Sequence, residues 1–204
     1  MNFKEQLKRI FKSKQTKKYS SYEEYVNHQK EKTQDPVRRQ KWLGEEWDSK
    51  LNYFENVFET IVTDFPEIKN GTSVGLGART GQEVQAMINL GFKASGVDLV
   101  ACKPLVIEGD IHDLPFENDS FDFAFTNIYD HSLYPDKFLQ EIDRIVKSQG
   151  VILLHLAFGD TDDYGANELI DSTPIVNFFK EYQIVKDEPM PIWGGLNHQV
   201  LIKK

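Results

Sequence analysis

The run Thr72-Ser-Val-Gly-Leu-Gly-Ala-Arg-Thr-Gly-Gln-Glu83 constrains this chain more than any other part of it. A short apolar segment passes into glycines spaced Gly75-x-Gly77-x-x-x-Gly81, and a helical pattern begins at Gly81. Glycine tolerates positive φ and lets another group approach the backbone closely. The helix start behind the turn presents free N–H groups and a partial positive charge. The spacing is not the GxGxxG of the dinucleotide fingerprint. Taken alone, the glycines fit a bare strand–helix turn as well as a binding loop, so the neighbouring strand ends must decide.

From residue 72 onward, short apolar runs alternate with helical segments. Residues 72–77, 94–99, 105–108, 121–126 and 151–158 read as strands, and 81–91, 135–147 and a stretch near 174–182 as helices. That alternation predicts an α/β fold with a parallel sheet covered by helices on both faces. The links Val100–Pro104 and Gly109–Ser120 are too short for a long helix, although a parallel crossover usually contains one. Gln183–Met190 and His198–Ile202 flank Trp193-Gly194-Gly195 and predict a terminal antiparallel hairpin. Upstream, residues 19–65 read as helical. Ser21 with Glu24 forms a capping box, and Asp35-Pro36 is a second helix start. Leu43, Trp47, Leu51, Phe54, Phe58 and Ile61 form an apolar stripe that needs a surface to pack on. Trp42 and Trp47 anchor a helix or line a substrate mouth, the first being the commoner use.

At 204 residues and 40% hydrophobic content the chain suits one domain with a short appendage. The expected division is a basic segment 1–18, a helical extension 19–70 and an α/β domain 71–204. Segment 1–18 carries seven lysines and arginines against Glu5 alone, with Phe3, Leu7, Ile10 and Phe11 at helical spacing. It reads as a solubilising terminus or as an amphipathic helix in weak contact with an anionic membrane surface. The net charge of -8 excludes a broad phosphate-binding face, so no nucleic-acid partner is expected. Cys102 is the only cysteine, which points to a reducing compartment such as the cytoplasm. No apolar run approaches the roughly 20 residues that span a bilayer, and the five scattered histidines suggest no metal.

The strand ends carry the chemistry. Gly96-Val97-Asp98 closes the second strand with an acid, which can accept hydrogen bonds from ribose hydroxyls or simply cap a turn. Asp110 ends the third strand and Asn127 the fourth. Four strand ends thus present polar groups at one sheet edge, where open α/β sheets bind ligands.

Residues 72–158 resemble the class I S-adenosylmethionine-dependent methyltransferases of the methyltransferase type 11 kind. The runs GDIHDLPFENDSFDFAFTN and DKFLQEIDRIVKSQGVILL carry the likeness. The stretch is also similar to an uncharacterised plant and bacterial group with a GARxGQE loop. The resemblance implies a Rossmann-like sheet of seven strands, mostly parallel with an antiparallel last strand. It implies S-adenosyl-L-methionine as cofactor, held by Gly75, Gly77, Arg79, Gly81, Asp98, Leu99, Asp110, Ile111 and Asn127. The family's usual loop is acid-x-Gly-x-Gly-x-Gly; here Gly75 replaces the acid and Arg79 the middle glycine. Arg79 then meets the cofactor carboxylate through its rigid fork, or pairs with Glu83.

Tyr129-Asp130-His131 follows Asn127 at the mouth of the expected site. His131 is the candidate base, with Asp130 beside it, because an imidazole titrates near neutrality. A loop histidine bonded to its own backbone is the plainer alternative. Tyr129 and Tyr164 are candidate substrate contacts. His155 reads as a satisfied core residue, and Asp160, Asp162 and Asp163 as a solvated acidic loop. The expected activity is methyl transfer to a small molecule; the alternative is a SAM-binding partner or regulatory protein without catalysis.

Overall fold

The computed structural model describes residues 14–15, 18–159 and 162–204. Three helices precede the main sheet: α1 Tyr22–Gln34, α2 Pro36–Leu43 and α3 Trp47–Asp64. Their starts follow the local signals. The Glu24 amide donates to Ser21 Oγ at 3.1 Å, while the Glu24 carboxylate reaches back to Ser20. Pro36 opens α2, and Asp35 Oδ1 accepts from the Arg38 amide at 2.8 Å. The helical stripe is shorter than the sequence pattern predicts. A turn at Gly44 ends α2, which leaves Leu43 47% exposed, and α3 begins only at Trp47.

Strand β1, Lys14–Gln15, pairs antiparallel with β7, Asn167–Glu168. A helix through segment 1–18 therefore does not extend to those two residues; 1–13 and 16–17 lie outside the described residues. The main sheet holds β2 Thr72–Leu76, β3 Lys93–Asp98, β4 Val106–Glu108, β5 Phe121–Thr126, β6 Val146–Leu156, β8 Gln183–Trp193 and β9 Leu196–Lys203. Its order is β4-β3-β2-β5-β6-β9-β8, with β9 antiparallel to both neighbours and the other pairs parallel. This is the seven-stranded Rossmann-like sheet, and order reverses at β2. The helices α4 Gln82–Asn89, α5 Pro135–Ile145 and α6 Thr173–Phe178 complete the layers. Helix α5 stops two residues before its predicted end because Val146 turns extended and pairs with Phe121.

Both faces of the sheet are buried, and strand alternation divides the core. Ala124, Ile152 and Leu154 face α5 and α6, where they meet Phe138, Leu139, Ile142 and Ile175. Phe123, Phe125, Val151 and Leu153 face the other way, onto Phe54, Phe58 and Ile61 of α3 and Met87 of α4. Helix α3 thus supplies one wall of the core. No helix spans the seven residues between β3 and β4; instead Cys102 and Val106 exchange backbone hydrogen bonds at 3.0 and 2.9 Å. Helix α1 crosses the sheet edge beyond that link. Tyr22 donates to Asp110, and Lys30 pairs with Glu108 at 3.3 Å. No helix among the described residues is long and apolar enough to cross a membrane.

Phe58 is fully buried and packs on Phe123 and Phe125 with ring centroids 5.4 and 5.0 Å away. Phe58→Ala is expected to lower unfolding free energy by about 3–5 kcal/mol, as an aromatic core truncation does. Urea unfolding measures it; a loss below about 1 kcal/mol would show that α3 contributes no core.

Candidate functional site

The glycine turn is held by packing from three sides. Gly77 has φ 75°, and a β-carbon there would lie 2.3 Å from Ile128 Cδ1, so no side chain fits. The Gly77 and Ala78 amides both donate to the Val97 carbonyl, at 2.9 and 3.0 Å, which locks the turn to β3. Gln82 Nε2 donates to the Trp42 carbonyl at 2.7 Å and straps the turn to α2. Gly81 caps α4 in the left-handed region and packs on Leu105; Gly75 packs on Glu83. Neither of these two glycines reaches the cavity wall, because each gives its space to a packing neighbour.

Arg79 occupies φ 47°, a left-handed conformation that costs a non-glycine residue on the order of 1–3 kcal/mol. Its guanidinium lies 5.2 Å over the Trp42 ring, which also takes the Lys50 ammonium at 5.5 Å. The expected alternative, an Arg79–Glu83 ion pair, does not form among the described residues. Trp42 is 7% exposed and anchors the loop to α2.

A cavity of about 650 Å³ opens above the turn. Gly77, Arg79, Asp98, Leu99, Ile111, Asn127, Asp130 and His131 lie on its wall, so eight of the residues singled out in the sequence come together. Asp98 is 8% exposed; its two oxygens accept from the Arg79 and Val100 amides at 3.0 and 3.1 Å. Burial pushes its carboxyl above the usual range, against the pull of those amides.

Besides Gly75 and Gly81, three expected site residues do not reach the wall. Asp110 turns toward α1, accepting from the Tyr22 hydroxyl at 2.5 Å and the His112 amide at 2.8 Å. Burial alone would raise its carboxyl, but the bonds from His112 and Tyr22 hold it down at about 2. Tyr129 is 1% exposed within the core, and Tyr164 stacks on His28 at 4.7 Å. His155 is only half satisfied: Nδ1 meets the Tyr53 hydroxyl at 3.4 Å, and Nε2 is buried without a partner.

The cavity wall also carries a cluster of four ionisable groups. His131 Nε2 lies 3.7 Å from both Asp130 and Asp162, and its Nδ1 is 3.3 Å from Gln29 Oε1. Lys32 pairs with Asp162, which lines the wall while staying exposed, as expected of a solvated acidic loop. Asp160 lies outside the described residues. Burial, then the charge of Asp162, pushes Asp130 up to about 7. Burial, then Lys32, pushes His131 down, so its imidazole is neutral at pH 7.

Sequence reasoning missed the roof. Tyr25, Gln29, Lys32 and Thr33 come from α1, Ser49 and Lys50 from α3, and Trp193–Leu196 from the hairpin turn. One signal was available: Gly194-Gly195 sits at that turn with φ 58° and 92°, and nothing lies within 4 Å of a β-carbon at either. The α1 residues carry no motif.

Residues 74–154, from β2 into β6, match the family model of a methyltransferase domain. No curated protein matches the chain. Among solved structures, the Burkholderia thailandensis 1,6-didemethyltoxoflavin-N1-methyltransferase is similar at TM-score 0.68 and 14% identity, over 92% of each chain. A SAM-dependent methyltransferase from Aquifex aeolicus is similar at TM-score 0.55 and 16% identity, over 71% of this chain and 87% of that one. One from Clostridium acetobutylicum is similar at 0.58 and 13%, over 76% and 91%. At these identities the likeness is one of fold, and the match to a methyltransferase domain is carried by residues 74–154.

Glu83 and Asp130 are buried carboxyls raised to about 7. A raised folded-state value means the native state holds its protons longer than the unfolded chain. The resulting stability is full below about pH 4 and is lost as pH rises through 7. Ligand-free protein should therefore weaken from pH 5 to 8. Glu83→Gln should recover about 3 kcal/mol at pH 8 and much less at pH 5. Urea unfolding at both pH values checks this; an equal gain at each would assign the effect to packing.

Proposed function

We propose that this chain is an S-adenosylmethionine-dependent methyltransferase acting on a small molecule. The observation that carries the reading is one cavity whose wall joins the glycine turn to a buried acid and an imidazole. Gly77, Arg79 and Asp98 reach it from the turn after β2 and the end of β3, and Asp130 and His131 from the segment after β5. The cavity sits at the carboxyl ends of β2, β3 and β5, where sheet order reverses.

The residues present fit the cofactor. Gly77 leaves the backbone bare beside the wall. The Asp98 oxygens are aligned by two amides and keep lone pairs for ribose hydroxyls. Leu99 and Ile111 offer apolar surface for adenine. Arg79, free of any ion pair among the described residues, suits a carboxylate through its two-pronged fork. Asn127 is 8% exposed and lines the wall from the loop after β5. When bound, S-adenosylmethionine supplies an activated methyl group on a sulfonium.

The protein's part is alignment and a proton acceptor. Aligning the acceptor with the methyl group can contribute roughly 7–11 kcal/mol. Helices α1 and α3 and the hairpin turn all contribute to the cavity wall, and a walled cavity of about 650 Å³ supports a small acceptor over a macromolecular one. An oxygen or nitrogen acceptor must also lose a proton, and a positioned base contributes about 10²–10⁴-fold. Asp130 suits that role better than His131: its carboxyl titrates near neutrality, while the imidazole is held neutral and orients the pair. The Burkholderia structure holds 1,6-didemethyltoxoflavin and S-adenosylhomocysteine together, which supports the same two-part use here. The basic pocket that a catalytically silent binder would need is present too, but an acid tuned to about 7 beside the cavity favours catalysis.

Asp98→Ala is expected to weaken S-adenosylmethionine by about 1.5–3 kcal/mol, the worth of hydrogen bonds to a charged group. Calorimetry that finds unchanged affinity in folded protein would remove Asp98 from the ribose. For the chemistry, labelled S-adenosylmethionine with a metabolite extract identifies the acceptor by product analysis. With that acceptor, Asp130→Asn should lower kcat by about 10²–10⁴, abolish the alkaline rise of the rate near pH 7, and leave cofactor affinity intact. A preserved pH profile would put the base elsewhere; cofactor binding with no methylated product from any extract would favour the non-catalytic reading.

A further inference from the structure

Beneath the glycine turn lies a carboxyl group that the cavity wall does not account for. Glu83 is the second residue of α4 and is 4% exposed. No other side chain among the described residues hydrogen-bonds to it. It lies against Gly75: a β-carbon on that glycine would be 3.1 Å from Glu83 Cγ. The glycine and the glutamate thus crowd one volume, and a side chain at Gly75 would make Glu83 shift by a few tenths of an ångström.

The charges around Glu83 come from every side of the turn. Arg79 on the turn and Lys50 on α3 attract it, and Asp98 on β3 repels it. Both cations line the cavity, while Glu83 stands behind them. Lys50 is balanced by Glu46 at 2.7 Å, but Arg79 has no ion pair among the described residues. A glutamine or an apolar side chain would fill the same space without burying a carboxyl. What the acid adds is negative charge behind a cationic wall, beside two residues, Gly75 and Gly77, that have no side chain to screen it.

Resting on the reading of the cavity as an S-adenosylmethionine site, we propose that Glu83 is the counter-charge for the ammonium of the cofactor's amino-acid end, delivered from α4 into the space that Gly75 leaves free. Arg79 and the ammonium would otherwise carry like charge into one part of the cavity, where repulsion is screened less than in bulk water. With Glu83 ionised, the corner holds alternating charges: the ligand carboxylate on Arg79, and the ligand ammonium over the turn with Glu83 behind it.

The test compares two ligands that differ only at that end. S-adenosylhomocysteine carries the amino-acid group; methylthioadenosine keeps the nucleoside and the sulfur and lacks it. Calorimetry at pH 8 is expected to show Glu83→Gln weakening S-adenosylhomocysteine by roughly tenfold and leaving methylthioadenosine unchanged. A second pair of variants tests the shared volume. Gly75→Asp alone should lower the melting temperature, because its β-carbon meets Glu83. Glu83→Ala with Gly75→Asp should fold and regain most of the S-adenosylhomocysteine affinity that Glu83→Ala loses. Equal loss for both ligands in Glu83→Gln would make Glu83 a packing residue and overturn the proposal, as would wild-type affinity for both or no recovery in the double variant. A wild-type protein that binds neither ligand overturns the cofactor reading, and this proposal with it.

Discussion

A parallel sheet whose strand order reverses at β2 has a crevice at the carboxyl end of that strand, because the chain leaves β2 toward β3 on one side and β5 lies on the other. The site depends on this constraint. Two neighbouring strands end there, so Asp98 and Asn127 arrive beside the glycine turn without any long-range device to place them. The turn must clear Ile128, which comes from the segment after β5. Only a residue without a side chain can do so, and that residue is Gly77. Fold and site share one geometric cause, and β2 and β5, which flank the crevice, are almost wholly buried.

The N-terminal helices add wall to that crevice. Helix α3 is core first: Phe54, Phe58 and Ile61 close one face of the sheet, and Lys50 on the same helix reaches the cavity wall. Helix α1 has almost no core of its own, with Tyr25 and Thr33 its only fully buried residues. Polar contacts hold it to the strand ends instead. The Tyr25 hydroxyl donates to the His131 carbonyl at 3.0 Å, and Gln29 Nε2 donates to the Tyr164 carbonyl at 2.7 Å. Tyr22 bridges Asp110 and His112, and His112 continues to Ser132 at 2.8 Å. This explains why Asp110 is absent from the wall. In covering the edge left by the short β3–β4 link, α1 uses the Asp110 carboxylate as its own attachment point.

What was legible in the sequence follows from the range of the interactions. The turn, Asp98 and the alternation of strands and helices are local patterns, and the strand ends place them together once the sheet is parallel. Leu43 failed because Gly44 breaks the helix before the stripe can include it, a conflict between two local signals. Tyr129 failed for a tertiary reason: the 3-10 turn at 129–131 sends the tyrosine into the core and Asp130 to the wall. No spacing distinguishes those two outcomes. Lys32 and Gln29 were illegible because an amphipathic count treats a cation on α1 as a solvated face. Only the docking of that helix over the site turns the face inward.

The charge placement shows why an acidic protein keeps so many cations in one cavity. Lys32, Lys50 and Arg79 all line the wall of a chain whose net charge is -8. Each is held by a different partner: Asp162, Glu46 and the Trp42 ring. These partners fix the cations in position and neutralise two of them, leaving Arg79 as the group with an open claim on an anion. Such a wall, unbalanced, would repel a ligand bearing a sulfonium and an ammonium. The buried carboxyls at Glu83, Asp98 and Asp130 supply the opposing charge from behind and beside it. They do so at a cost in stability, because burial opposes ionisation at each. Sites that trade stability for a charge pattern are where function departs from the rules of packing. Here all three departures fall around one cavity, while the aliphatic and aromatic core on either face of the sheet obeys those rules.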